Sequence, residues 1–504
     1  MAQIASVATR QGSIVTPVGG EPPDTVVRSG ASFRDPSGYV FERSGVLYRQ
    51  INETARQDYE RLLSSGLYDA LIRSGDLVPH EEVDPALSPD GRAFRVIRPE
   101  RADFMSYPYE WCFSQLKEAA LLTCRLQKVA LVHGMSLKDA TAYNVAFSKG
   151  RAVWIDTLSF EVLKPDTPWV AYGQFCRMFL APLALMSCVD VRLQQLFRTC
   201  IDGIPLDLAS TLLPAASLLR PGQLMHIHLH AAAQRRLAAG NAVQRPQQSR
   251  FSRTALNGIV ESLERTIAGL EWRVTESTWG NYYDDTTYTA AAFAHKREIV
   301  SAATERLAPA MVWDLGANDG TFSRVASGRG IPTIAWDVDP VAVEKNFQQA
   351  ARACERNILP LLLDLTNPSS GYGWANEERD SLAERGPADL AFVLALVHHL
   401  AIANNVPLGH IAAYLARLAR GLVIEFVPKA DSQVRRLLAS RTDIFDDYTQ
   451  EGFERAFSAH FDILEATTIR ESVRTIYVMR RRGDPVDSRR RVYLDAARST
   501  SMHS

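Results

Sequence analysis

Cysteine is scarce in this sequence: six in 504 residues (Cys112, Cys124, Cys176, Cys188, Cys200 and Cys354), with no C-x-x-C pair. That spacing offers neither a zinc knuckle nor a dense disulfide framework, so free thiols in a reducing compartment are expected, with no metal site. Net charge is missing too. Fifty-six Lys and Arg nearly balance 57 Asp and Glu, leaving -1 and no overall pull toward nucleic acid or an anionic membrane. Any such partner needs a local patch. Long apolar runs are also absent: MFLAPLALMSCV at 178–189 falls well short of the ~20 residues that span a bilayer. The first twenty residues, MAQIASVATRQGSIVTPVGG, have no basic start followed by an apolar core, so a secretory signal is not expected and the cytoplasm is.

What is present suits a folded protein. Hydrophobic residues make up 46% and charged residues 22%, near globular averages, and the length calls for two domains plus connecting segments. Residues 1–38, rich in Gly, Pro, Ser and Thr, read as a flexible leader. A domain over 39–235, mostly helical α+β, follows. Within it YERLLSSGLYDALIRSG (59–75) places Leu62, Leu63, Leu67, Leu71 and Ile72 on one helical face, and residues 111–134 continue such spacing for six turns. Polar sequence at 235–258 marks a domain edge, so 236–300 is expected to be a linker with a helical lead-in to the tyrosine-rich WGNYYDDTTYT (279–289). The tail, 483–504, reads as flexible.

From 301 to 482 strands and helices alternate. Strands are predicted at 311–315, 332–337, 358–363, 388–395, 421–427, 462–469 and 473–480, with helices between the first five. Parallel strands need crossovers long enough to hold a helix, so this is an α/β doubly wound sheet. Only RESV separates the last two strands, which should therefore pair antiparallel.

In such a sheet, ligands bind beyond the carboxyl ends of the strands. The first strand ends in VWDLGANDG (312–320), where Gly316 and Gly320 permit a tight turn and Asn318 tolerates unusual backbone angles. The second ends with Asp337, about twenty residues on, suited to accept hydrogen bonds from vicinal ribose hydroxyls. Asp364 closes the third strand, facing an adenine amino group, and His398 and His399 close the fourth.

These four strand ends resemble the class I S-adenosylmethionine-dependent methyltransferase family over roughly 301–482. The family's acid followed by G-x-G-x-G is matched by Asp314 and Gly316 to Gly320, with Asn318 in place of the middle glycine. The resemblance implies seven strands with the last inserted antiparallel. It implies S-adenosylmethionine as cofactor, its amino-acid part held by Asp314 and the Gly316–Gly320 backbone, its ribose by Asp337, and its adenine flanked by Asp364 and Leu365. Asp339 is a less suitable ribose ligand because it lies past the strand end. A nicotinamide enzyme would need G-x-G-x-x-G, whose positions here hold Asn318 and Thr321.

The acceptor is less legible. Methyl transfer is an in-line displacement that mainly requires positioning, with a base only where the nucleophile must lose a proton. His398, His399 and Glu425 are the candidates, although adjacent histidines cannot both face one cleft. The fourth strand is followed by HHLAIANNVPL where amino-methylating nucleic-acid enzymes of the family carry N-P-P-Y or D-P-P-Y, which disfavours DNA or RNA. VHHLAIANNVPL, FVPKADSQVRRLL, DDYTQEGFERAF and WGNYYDD resemble a bacterial subgroup that includes nodulation proteins of the NoeA type, implying a small-molecule or carbohydrate-containing acceptor. The rival from another class is a non-catalytic ligand-binding or scaffold protein built from two relic enzymes.

One stretch of the amino-terminal half also bears on chemistry. In HGMSLKDATAYNVAFSKGRAVWIDTLSF (133–160), Asp139 and Asn144 stand in D-x-x-x-x-N spacing and a strand-turn-strand leads to Asp156. This resembles protein kinases and sugar or aminoglycoside phosphotransferases, which implies Asp139 on the acceptor hydroxyl and Asn144 and Asp156 on magnesium. No glycine-rich phosphate loop and no V-A-I-K strand accompany it, and Thr157 and Leu158 stand where Phe-Gly would follow. A kinase-like fold without activity, or plain turn chemistry, fits the same residues.

Overall fold

A computed structural model describes residues 26–238, 251–273, 288–439 and 441–483. Compactness divides them into two units: the described residues up to Arg56 with His80–Pro99, and Gln57–Pro79 with the described residues from Glu100 onward. The flexible tail expected after Gly483, residues 1–25 of the expected leader and most of WGNYYDDTTYT lie outside the described residues.

The first unit is an antiparallel sheet of β1 (Val26–Arg28), β2 (Gly38–Arg43), β3 (Val46–Ile51), β4 (His80–Val83) and β5 (Arg95–Pro99), in the order β1-β2-β3-β5-β4. The end of the expected leader is thus structured. Val26–Arg28 pairs with Phe41–Arg43, and Asp35 caps the turn into β2 by accepting from Ser37 N–H at 2.8 Å.

The second unit begins with a correction. The predicted helix over 59–75 is two, Arg56–Ser64 and Leu67–Ser74, because Gly66 adopts φ +76 and turns the chain between them. Phe113–Val132 forms one helix as its spacing predicts. Two short hairpin-like pairs follow, β6 (Met135–Leu137) with β9 (Phe160–Val162) and β7 (Val145–Ser148) with β8 (Arg151–Trp154).

The seven predicted strands of the carboxy-terminal part are all present: β10 (Val312–Leu315), β11 (Thr333–Asp337), β12 (Ile358–Leu362), β13 (Leu390–Val393), β14 (Gly421–Phe426), β15 (Phe461–Thr468) and β16 (Thr475–Arg481). They form one sheet in the order β12-β11-β10-β13-β14-β16-β15. The first five are parallel, and β16 inserts antiparallel between β14 and β15. The chain order reverses between β10 and β13, where such sheets open a crevice.

One predicted crossover helix is missing. Between β12 and β13 the chain runs irregularly except for a single turn at Trp374–Asn376, since NPSSGYG supplies turn formers and no apolar period. The amino-terminal segment provides the packing instead. Phe104 sits edge-on to Trp313 and Trp336, with ring centroids 5.7 and 5.6 Å away. Arg385 donates to Glu110 at 2.8 Å, both side chains buried, and Gln115 reaches the Pro360 carbonyl at 3.0 Å. For this reason the composition shift near 235 does not separate compact units: residues 100–238 and the large sheet share one. The expected linker itself holds the helices Arg253–Ala268 and Ala290–Leu307.

Candidate active site

The parallel strands are apolar along their length and turn polar at their carboxyl ends, which concentrates hydrogen-bonding groups along one edge of the sheet. A cleft of about 440 Å³ opens there, lined by Asp314, Gly316, Asn318, Asp337, Asp364 and Leu365, with Leu363, Leu394 and Leu396 among its apolar walls. The volume suits a drug-sized molecule.

The turn after β10 has three residues in the left-handed region: Gly316 at φ +85, Asn318 at +50 and Gly320 at +81. Asn318 thus occupies the left-handed region that asparagine tolerates better than most side chains. Gly320 also makes room within the protein. It does not line the cleft, and a Cβ there would meet Asn346 Nδ2 at 2.5 Å and Arg324 Nη1 at 2.6 Å, so its bareness serves packing within the protein.

Asp337 ties this turn to the next strand. One carboxylate oxygen accepts from Asn318 N–H at 2.8 Å and the other from Asp339 N–H at 2.9 Å. Burial pushes this carboxyl up to about 6 against the pull of backbone N–H donors from Asp339, Asn318 and Val338. Asp314, fully buried, is pushed up to about 7 by burial, partly offset by the Ser323 hydroxyl at 2.7 Å. Asp339 caps the helix Pro340–Arg352 through Val341 N–H, as its place past the strand end implied. Asp364 is exposed, and one of its oxygens accepts from the Thr366 backbone and hydroxyl at 2.8 and 2.6 Å.

The three base candidates separate. His399 lines the cleft, and burial followed by the Arg474 charge lowers its pKa. His398 lies beside it with ring centroids 4.2 Å apart and planes tilted by 40°, but is 1% exposed and does not line the cleft. Burial holds it neutral, well below the usual histidine range.

Glu425 is fully buried behind the cleft. Lys296 donates to it at 2.7 Å, Arg474 lies 3.5 Å away, the Tyr288 hydroxyl bonds to it, and Ala395 N–H donates at 2.9 Å. Burial alone would raise its carboxyl, yet the Lys296 and Arg474 cations outweigh that and hold it below the ordinary range. Asp431 takes the rest of Arg474 at 2.7 Å. The Ala395 bond secures a residue at φ +51 on the tip of β13, so Glu425 shapes the cleft wall and has no room to collect a proton.

Lys296 and Tyr288 also line the cleft and were not anticipated. A faint signal existed: Ala292, Lys296, Val300 and Ala303 recur on one helical face, and a lysine on an otherwise buried stripe needs a partner.

The kinase-like residues do converge, around protein groups. Asp139 accepts from Gln174 at 2.7 Å and Asn144 at 3.2 Å, Asn144 also reaches Ser159 at 3.0 Å, and Asp156 accepts from the Ser159 hydroxyl at 2.7 Å and Leu158 N–H at 3.0 Å. Burial and the nearby Asp156 charge raise the Asp139 carboxyl. All six cysteines are free, and Cys354 is exposed.

No protein-family model matches the chain. Among solved structures it is similar to magnesium protoporphyrin IX methyltransferase from Synechocystis PCC 6803 with bound SAH, at 18% identity over 40% of this chain and 92% of that one, TM-score 0.28. It is also similar to the bifunctional kinase-methyltransferase WbdD, at 16% identity over 38% of each chain, TM-score 0.25. The chain thus spans little more than a third of WbdD, and TM-scores this low carry no weight for activity. The sequence relationship is much firmer. Nodulation protein NoeA of Rhizobium meliloti (strain 1021) is 36% identical over 463 residues, covering 90% of this chain and 96% of that protein. The chain belongs to the family of nodulation protein NoeA.

Proposed function

We propose that this protein is an S-adenosylmethionine-dependent methyltransferase acting on a small-molecule or carbohydrate-containing acceptor. The observation that carries the reading is the convergence of Asp314, Gly316, Asn318, Asp337, Asp364 and Leu365 on one cleft at the switch point of the sheet. Those residues fit the cofactor. The Asp337 carboxylate, lining the cleft, suits ribose hydroxyls, Leu363 and Leu365 suit an adenine face, and the buried Asp314 carboxyl suits a cationic amino-acid tail. When bound, the cofactor would supply an activated methyl group on sulfur.

The chain's own residues would do the rest. Glu425, through Ala395 N–H, fixes the tip of β13 against the reacting face. His399 is the proton acceptor we assign, as the one candidate of the three that lines the cleft. Leu394, Leu396 and Leu400 give the cleft an apolar wall that would exclude water from a bound cofactor. Asp139, Asn144 and Asp156 we assign to holding their loop, because Gln174 and Ser159 occupy the positions through which they would act.

Calorimetry with S-adenosylhomocysteine tests the cofactor reading. Binding in the micromolar range that Asp337→Ala weakens at least tenfold is expected. No heat at submillimolar ligand overturns the proposal. Mass spectrometry of cell extracts incubated with labelled cofactor then addresses the acceptor.

A further inference from the structure

The chain is neutral overall, yet a long stretch of it contains no acid. From Leu208 to Val260 there is no Asp or Glu, while Arg220, Arg235 and Arg236 lie within it. The same region carries an apolar surface. Seven of the twenty large apolar side chains exposed among the described residues fall between Leu208 and Leu237, a concentration that scattered surface leucines do not produce.

The geometry gathers them. Residues 221–238 form one continuous helical run, along which Met225, Leu229 and Leu237 keep multiples of a four-residue spacing and are exposed. Its opposite side is anchored, with Ile227 and Ala231 buried and His226 bonded to the Tyr172 and Ser262 hydroxyls at 2.8 and 2.9 Å. The turn Ala215–Leu219 packs on this run and presents Leu219 at 85% exposure, and the helix Leu206–Leu212 packs on it as well. Arg220, Arg235 and Arg236 are exposed on the same elements.

The chemistry of this surface selects its occupant. A second copy meeting it face to face would oppose arginine to arginine, with Asp207 the one acid on these elements against three arginines. Protein partners are gripped mainly through Trp, Tyr and Arg anchors in pockets, whereas the exposed apolar residues here are only leucine and methionine. Aliphatic side chains rimmed by guanidinium groups match the boundary between acyl chains and anionic headgroups. We propose that the face built from residues 206–237 docks this protein on an anionic lipid bilayer, without any segment crossing it. This rests on the surface alone and is independent of methyl transfer.

Flotation of the full chain with vesicles tests the proposal. Co-flotation with equimolar phosphatidylcholine and phosphatidylglycerol, at least about tenfold greater than with phosphatidylcholine alone and reduced at high salt, is the expected result. Arg235→Glu with Arg236→Glu should weaken it by about tenfold or more, and Met225→Glu with Leu229→Glu should abolish it. These side chains are exposed, and unchanged circular dichroism melting checks that the variants fold. Equal flotation with both vesicle types, or none with either, overturns the proposal. So does wild-type self-association in sedimentation velocity that the Met225→Glu and Leu229→Glu variant abolishes while vesicle binding stays unchanged.

Discussion

At the scale of single residues, the cleft holds acids in two electrostatic conditions. Asp314 and Asp337 have no cation bonded to them and are pushed up to about 7 and about 6, while Glu425, equally buried, is held down by Lys296 and Arg474. For the first pair the folded pKa lies above the unfolded value of 3.8, so their contribution to stability is complete below pH 3.8 and is lost as pH rises through about 6 and 7. A cationic ligand that prefers ionised carboxylates should therefore bind more tightly as pH rises from 5 to 8. Titration calorimetry of S-adenosylmethionine across that range should show the gain, and Asp337→Asn should flatten it. Glu425 makes the opposite prediction. Glu425→Ala strands Lys296 and Arg474 as unpaired buried charges and should cost about 3–5 kcal/mol in denaturant unfolding. A catalytic role alone would leave the unfolding midpoint unchanged.

At the scale of elements, the turn between β10 and the helix Ser323–Ser327 carries the site and shows how one motif divides its labour. Gly316 and Asn318 line the cleft, whereas Gly320 makes room for Asn346 and Arg324. Gly320→Ala combines a left-handed backbone with a steric clash and should lower stability by more than the ~1–2 kcal/mol of the backbone term alone. Thermal unfolding measures that, and rescue by Asn346→Ala would identify the clash. The strands were legible because unbroken apolar runs between turns suit a doubly covered parallel sheet. The break at Gly66 was not, since leucines on either side keep a helical spacing across it. Nor was the irregular crossover before β13, where chain order predicted a helix and tertiary contacts from Phe104, Tyr107 and Glu110 made one unnecessary.

At the scale of the whole molecule, the large sheet depends on residues far upstream. Glu110 and Arg385 are 275 positions apart and bury each other. Glu110→Ala should destabilise the second unit by about 3–5 kcal/mol, and its melting should remain a single transition because the upstream helices and the sheet share one compact unit. A second-unit transition that splits in scanning calorimetry, with only one of its parts displaced by Glu110→Ala, would contradict this.

The sequence by itself determined the seven strands, the antiparallel pairing of the last two and the acids at the strand tips, because those follow from periodicity and chain order, which are local. It also determined that Asn318 can stand for glycine, a property of one side chain. Only the tertiary structure decided which of two histidines faces the cleft and that Glu425 is spent on Lys296 and Arg474. It alone also brought the acid-free stretch and its leucines onto one face. Those outcomes depend on which groups meet across the fold, and pairing between distant positions leaves no period in the chain to read.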